Sequence, residues 1–184
     1  MRLRYTELMA ERHHRALLCA ALLAAGRPLS DADLSKLLGA DADVKEVVRD
    51  LQRTLQTEQL GLVVEEVAGG VRLVVAPILT GELAALLSPP PLPQLSKAAV
   101  ETLALVAYQQ PVTRGELEAV RGASCASTLD TLQERELIKV LGRKEVIGKP
   151  LLYGTTERFL VEFGLRSLEE LPPLSDQPSA FLRG

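Results

Sequence analysis

The residues of this chain that could do chemistry include a Gly-Lys pair and two histidines. Gly148-Lys149 resembles the end of a phosphate-binding P-loop, but Arg143 stands where the first glycine belongs and Pro150 where Ser or Thr would hold magnesium. His13 and His14 are adjacent, so on a helix their side chains point about 100° apart and cannot both face one metal. The sequence therefore predicts no nucleotide or metal site at these positions.

The cysteines and the neighbouring carboxylates form no catalytic constellation either. Cys19 and Cys125 match no metal-ligand spacing, so we expect small buried side chains of a reduced protein. Glu65-Glu66 and Glu169-Glu170 are sequence neighbours, and neighbours on a strand face opposite sides. The sequence has no third histidine to act as a general base and no G-x-S-x-G elbow. We predict that the protein is not an enzyme and has no cofactor or small-molecule substrate.

The composition is that of an ordinary globular chain, with 47% apolar and 24% charged residues. Aromatic residues make up only 3%, so we expect a core of Leu, Val and Ala. Their scarcity also counts against binding of single-stranded nucleic acid, which stacks its bases on exposed aromatics. The net charge of −3 gives no overall attraction to nucleic acid or to an anionic membrane.

An apolar run at 16–25 follows several arginines, which is the arrangement of a secretory signal. However, Glu7 and Glu11 interrupt the basic leader, and a counterpart of the run recurs in mid-chain at 100–108. The run is also too short to span a bilayer. We therefore expect a cytoplasmic protein with no membrane partner.

The best-marked stretch is 95–156, which predicts three short helices followed by a β-hairpin, the plan of a winged-helix module. An apolar stripe at helical spacing ends at Pro111. Thr113, with Glu116 three residues on, predicts a capping box at the start of the second helix, and Gly122 ends that helix. The elements predicted after it are a third helix, two strands and two closing helices, at 124–136, 138–146, 150–154, 157–163 and 167–171.

The first half of the chain repeats this order of elements. After a frayed lead-in at 1–12, the predicted helices lie at 13–25, 31–38, 43–60 and 79–87, and the strands at 62–67 and 71–75, with Gly69-Gly70 as the turn. Pro28 and Pro111 lie 83 positions apart, and the same offset relates Ser30 to Thr113 and Gly39 to Gly122. We infer an internal duplication.

The duplication sets the predicted architecture. We predict a mainly α chain with small β-hairpins (α+β), built as two tandem winged-helix domains joined by a Pro-rich linker. The N-terminal domain covers 1–88, the linker 89–94, the C-terminal domain 95–174 and a flexible tail 175–184. Prolines at the density of the linker favour a semi-rigid extended spacer.

Charge tests whether these modules read DNA, since winged helices commonly place the third helix in the major groove. The third helices, at 43–60 and 124–136, carry net charges of −1 and −2, and phosphates repel acidic helices. The second hairpin is basic, but we favour a solvated tip there over a phosphate contact. We expect DNA contact to be weak or indirect.

Two strings in the second half, LSKAAVETLALVAYQQPVTRGELEAVRG at 95–122 and GRKEVIGKPLLYGTTERFLVEFGLRSLEELPPL at 142–174, resemble the bacterial segregation and condensation protein B (ScpB) family. The first half is similar more loosely, through LLAAGRPLSDADLSKLLG at 22–39. Together the similarity covers roughly 13–174. Asp130 and Glu136 depart from the family pattern, and they make the third helix of the second module more acidic.

The resemblance implies two winged-helix domains and homodimerisation, mainly through the N-terminal modules. It also implies binding to the kleisin ScpA, and through the kleisin to SMC, in the complex that compacts and segregates the chromosome. Family members have no enzymatic activity of their own. The implied location is the cytoplasm, with nucleoid association through the SMC complex.

We therefore predict a scaffold subunit of the SMC–kleisin complex in chromosome condensation and segregation, acting as a homodimer that binds ScpA. Partner contact is predicted on the second module, around Arg114, Arg121, Arg143, Lys144, Lys149 and Tyr153. Solvated side chains, and for Tyr153 a place in the core, are the alternative for these residues. Two other functions stay open: a tandem winged-helix DNA-binding transcription regulator, and a purely structural dimer without a kleisin.

Overall fold

The structure is a computed structural model that describes residues 2–39, 42–87 and 94–173. It combines α-helices with two small antiparallel sheets, so the chain is α+β as predicted. The chain divides into two compact units, Met1–Gln94 and Leu95–Gly184. The predicted tail at 175–184 and nearly all of the predicted linker lie outside the described residues.

The first unit has, in its described residues, four α-helices and one three-stranded sheet. The helices are α1 (Arg2–Ala25), α2 (Asp31–Leu38), α3 (Val44–Thr57) and α4 (Thr80–Leu87). The strands are β1 (Leu29–Ser30), β2 (Leu62–Val67) and β3 (Gly70–Val75). The order in the sheet is β1-β3-β2, and a short 3₁₀ helix, Pro77–Leu79, leads from β3 into α4.

The second unit repeats this sequence of elements in its described residues. Its helices are α5 (Lys97–Gln109), α6 (Arg114–Arg121), α7 (Ala126–Glu134) and α8 (Glu157–Phe163), followed by a 3₁₀ helix at Leu168–Glu170. Its strands are β4 (Val112–Thr113), β5 (Ile138–Arg143) and β6 (Leu151–Thr155), in the order β4-β6-β5. Since β1 and α2 lie 83 positions before β4 and α6, the structure supports the inferred duplication.

The two short helices α2 and α6 begin with the same hydrogen-bonded cap. The Ser30 hydroxyl accepts the backbone N–H of Asp33, whose carboxylate accepts the N–H of Ser30. Thr113 and Glu116 form the same capping box on α6, as predicted. Because such a cap satisfies N–H groups that the helix leaves unpaired, each contributes about 1 kcal/mol to stability.

Each unit buries its own core, which is mostly aliphatic as the composition predicted, with Tyr153 and Phe159 added in the second unit. Leu34 of α2 and its counterpart Leu117 of α6 are both 0% exposed. Cys125 is buried in the second core and Cys19 is partly buried against the first. The side chains that surround Leu34 and Leu117 come mainly from the flanking helices, and include Leu18, Leu51 and Leu55 in the first unit and Leu103, Val106, Leu129 and Leu132 in the second.

The first helix is longer than predicted. It begins at Arg2, so the expectation of a frayed lead-in over 1–12 is wrong. These residues include no Gly or Pro and are rich in Arg, Leu, Glu, Met and Ala, all strong helix formers. Adding such residues to an existing helix is favourable, because only the nucleus of a helix is costly.

The turn of the first hairpin is also displaced by one residue from its predicted position. Ala68 and Gly69 take the positive φ angles, of 50° and 68°, and Gly70 already belongs to β3. Gly70 serves another purpose, because a Cβ there would lie 2.5 Å from the carbonyl oxygen of Leu29. A glycine at this point therefore allows β1 to pair with β3.

Candidate functional site

The predicted partner residues lie on α6 and on the hairpin that joins β5 to β6, here called the second hairpin (138–155). Arg114 and Arg121 are the first and last residues of α6. The second hairpin carries the other four: Arg143 at the end of β5, Lys144 and Lys149 in the turn, and Tyr153 in β6. The structure thus brings the residues onto neighbouring elements of one unit, but it exposes them unequally.

Two of the six residues expose little of their side chains. Tyr153 is 8% exposed and pairs across the sheet with Val112 and Val140. The Arg121 side chain is 11% exposed, and its Nη2 lies 3.7 Å from Oε2 of Glu101 on α5. Both side chains therefore pack beneath the surface, and they offer little accessible area to a partner.

Arg114 is half exposed and is held against its own unit. Its Nε donates to Oε1 of Glu118 at 2.8 Å, and the same oxygen accepts the backbone N–H of Cys125 at 3.1 Å. The hydrogen bond raises the pKa of Arg114, and with the Cys125 N–H it lowers the pKa of Glu118. This cluster links the start of α6 to the start of α7.

Lys144 ties the second hairpin to the N-terminus of α6. Its Nζ donates to Oε1 of Glu116, while Oε2 of the same carboxylate accepts the backbone N–H and the hydroxyl of Thr113, each at 2.8 Å. The bond from Lys144, followed by those from Thr113, lowers the pKa of Glu116 to about 2. The capping residue predicted from the sequence is thus also the partner of a lysine 28 positions away.

Replacing Glu116 by Gln is expected to change how stability depends on pH. A carboxylate whose pKa is lower in the folded state stabilises the fold above its unfolded pKa. That contribution is lost as the pH falls from about 4.5 toward about 2. Glu116→Gln should weaken this acid dependence and lower stability at neutral pH, as measured by urea unfolding at a series of pH values. Glu134→Gln, at an exposed position of α7, is the matched control. If stability depends on pH in the same way in both variants, Lys144 and Thr113 do not stabilise the fold through the Glu116 carboxylate.

The tip of the second hairpin presents its remaining cations to solvent. Nη1 of Arg143 donates to the carbonyl oxygen of Lys149 at 3.0 Å, which closes the turn. Nζ of Lys149 lies 3.8 Å from Oε2 of Glu145, with both side chains mostly exposed. Ion pairs of this kind contribute little to stability, so both cations remain available to a partner.

The same tip carries exposed apolar side chains that the sequence reasoning missed. Ile147 is 104% exposed, and Val146 and Leu141 are each 49% exposed. Val146 was predicted to end a strand, but β5 ends at Arg143 and the turn begins there. The available signal was the pair Val-Ile between charged residues in KEVIGK, next to a turn glycine. We call Leu141, Arg143, Val146, Ile147 and Lys149 the hairpin tip.

The first unit has a different exposed apolar surface. A groove of about 690 Å³ lies between the C-terminal half of α3, β2 and the 3₁₀ helix, lined by residues that include Leu55, Leu62 and Leu79. Ile78, which lines it, is 85% exposed, and Leu60 nearby in sequence is 57% exposed. We call this the first-unit groove. Exposed apolar side chains beside a groove are a feature of surfaces that bind other proteins.

The described residues include no group of three or more His, Cys, Asp or Glu side chains that could hold a metal ion. In the same part of the chain, no helix has the length and apolar character needed to cross a membrane. The two units present apolar and basic surfaces, which suit the binding of another macromolecule.

Comparison with known proteins gives one consistent family. A family model described as segregation and condensation complex subunit ScpB matches residues 16–174. The chain is 47% identical to segregation and condensation protein B of Moorella thermoacetica over 163 residues, which are 88% of this chain and 83% of that protein. It is 44% identical to the protein of the same name from Symbiobacterium thermophilum, over 88% of this chain and 74% of that protein. The crystal structure of ScpB from Mycobacterium tuberculosis is 29% identical, covers 84% of this chain and 97% of that chain, and has a TM-score of 0.40.

Proposed function

The chain belongs to the ScpB family of segregation and condensation complex subunits, and from this premise we propose that it is a homodimeric scaffold whose second unit binds the kleisin ScpA. The family acts in chromosome segregation and condensation and is not a family of enzymes. In this proposal the chain joins the SMC complex through the kleisin, at the nucleoid in the cytoplasm. The 1–88 domain dimerises and the 95–174 domain holds the partner.

We propose that each unit is a winged-helix module. Three helices, α1 to α3 or α5 to α7, precede a hairpin, and a two-residue strand after the first helix completes the sheet. A hairpin appended to three helices in this order is the plan of a winged helix. The hairpins β2–β3 and β5–β6 are then the wings.

The observation that carries the kleisin-binding proposal is the complete exposure of Ile147 at the hairpin tip. An apolar anchor that is surrounded by cations suits a segment of opposite character, with apolar residues to bury and carboxylates to pair. Arg143 and Lys149 supply the charge at the tip. Arg114 and Lys144 lie toward the edge of this surface on our proposal, and Arg121 and Tyr153 support it from within the unit.

We assign the dimer interface to the first-unit groove. A two-fold dimer uses the same patch on both copies, and Ile78 lies at the groove with most of its surface exposed. In the proposed dimer, Ile78 of each copy is buried against the groove of the other. Burial of such a side chain contributes about 1.5–3 kcal/mol.

Replacing Ile78 by Glu should therefore weaken the dimer. The change removes an apolar contact and places a carboxylate in a desolvated interface, so we expect the dimer dissociation constant to rise at least about 30-fold. Sedimentation equilibrium of the full chain measures it. Val120→Glu, at a position of α6 that is 59% exposed, is the matched control. A dimer that is equally stable in both variants would exclude the groove as the interface.

Co-purification of the full chain with the central segment of a kleisin tests the kleisin-binding proposal. We expect a complex that survives size-exclusion chromatography at micromolar concentration. If both proteins are folded and no complex forms, the proposal fails. A transcription regulator would instead bind one operator sequence at physiological salt, a result that the scaffold proposal does not predict.

A further inference from the structure

Helix α3 sorts its charged side chains onto different faces. Asp50 turns toward α1, where its Oδ2 accepts from Nη1 of Arg15 at 2.8 Å, and both side chains are only 29% exposed. Asp43 caps the helix through the backbone N–H of Glu46. Asp50 is therefore paired within the unit, and the exposed Asp43 stands at the N-cap, before the first helical residue of α3. The net charge of −1 counted over 43–60 does not separate these positions from the face of the helix.

The solvent face of α3 is basic. Lys45, Arg49 and Arg53 lie four residues apart and are all exposed, with 61% of the Arg49 side chain and 66% of the Arg53 side chain accessible. At about 1.5 Å per residue, successive cations stand about 6 Å apart along the helix. We call these three residues the α3 basic stripe.

One carboxylate shares this face. Glu46 lies 2.8 Å from Nη1 of Arg49 and 4.0 Å from Nη2 of Arg53. The face keeps a net charge of +2, because three cations stand against one anion. Each guanidinium has five N–H donors, so the contact with Glu46 holds the two arginines on one side while leaving donors for a second acceptor. Glu58 is also exposed, but it lies beyond the helix end.

We propose that the α3 basic stripe binds the phosphate backbone of duplex DNA without sequence preference. A row of exposed cations on a helix suits the charged backbone of a duplex, whose neutralisation releases counterions and provides the binding free energy. The sequence of α3 contains no aromatic residue, so the stacking that holds single-stranded bases is absent from this face. A duplex is therefore the form of nucleic acid that the face suits.

The second unit does not offer an equivalent face. Helix α7 exposes Asp130 and Glu134 at corresponding solvent positions, and these carboxylates repel phosphate. The duplicated modules have thus diverged in charge, with the contact to DNA assigned to the first unit alone. This contact is additional to the scaffold function and needs no kleisin.

The test is an anisotropy titration of a fluorescein-labelled duplex of about 30 base pairs with the full chain at several salt concentrations. We expect wild-type affinity to fall steeply as salt rises. Arg49→Gln/Arg53→Gln should lower the slope of log affinity against log salt by about 2 and weaken binding at low salt about tenfold or more. The matched control is Lys97→Gln/Lys139→Gln, which removes two exposed cations of the second unit and should change affinity by less than about twofold.

Three results would overturn the proposal. These are no wild-type binding at low salt, equal losses in the two double variants, and equal competition by a single strand of the same length. Circular dichroism checks that each variant is folded. If the arginine double variant is not folded, Lys45→Gln replaces it with an expected slope change of about 1. Kleisin binding is measured on the same variants and should not change in the α3 variants, so the two proposals succeed or fail separately.

Discussion

Replacing Leu117 by Ala is expected to unfold the second unit and abolish the proposed kleisin binding while the first unit stays folded. Leu117 is 0% exposed and is the buried residue through which α6 joins its core. Truncating such a leucine costs about 2.7–5 kcal/mol, because transfer energy is lost and a cavity remains. For a module of this size that is a large part of the total stability.

The duplication supplies the matching experiment. Leu34 of α2 is the counterpart of Leu117 and is also 0% exposed. Leu34→Ala should therefore unfold the first unit and dissociate the proposed dimer. Calorimetry and hydrogen exchange of the two variants would show which unit is lost in each case. Val120→Ala, at an exposed position of α6, controls for a change in the same helix. Loss of both units together in either variant would contradict their independent stability.

Replacing Ile147 by Glu should reduce kleisin affinity at least about 30-fold without changing the fold. The side chain is fully exposed in the isolated chain, so its loss costs no folding energy. On our proposal it is buried in the complex, where an apolar side chain contributes about 1.5–3 kcal/mol and a buried carboxylate without a partner opposes binding. Titration calorimetry with the kleisin segment measures the change.

Val120→Glu again serves as the control, since it adds the same charge at another exposed site of the second unit. Arg143→Gln/Lys149→Gln should give a smaller loss that depends on salt, because charges at the rim of an interface act mainly on the association rate. If the Ile147→Glu variant binds the kleisin segment as tightly as wild type does, the binding site is not at the hairpin tip.

The elements with strong local signals were predicted well from the sequence. Helix α2 and strand β2 have the predicted bounds, because a polar cap, a glycine or a run of valines marks their ends. The two-residue strands β1 and β4 were missed, since two residues show no periodicity. They are defined by pairing with β3 and β6, which are distant in sequence.

The candidate site was harder to predict, because its character depends on contacts between residues far apart in the chain. The sequence identifies Lys144 as a cation, but it cannot show that Nζ of Lys144 donates a hydrogen bond to Glu116. Likewise Asp50 counts as an acidic residue of α3 until the structure pairs it with Arg15. Net charge over the whole segment therefore describes the surface of α3 less well than the charge on each of its faces.

The most direct test of the scaffold account is the mass and composition of the full chain alone and with the central segment of ScpA, by light scattering coupled to size-exclusion chromatography. The account predicts a species of twice 19.9 kDa for the chain alone and a heavier complex containing the kleisin segment at micromolar concentration. A folded chain that stays at 19.9 kDa and elutes apart from the folded kleisin segment would contradict it.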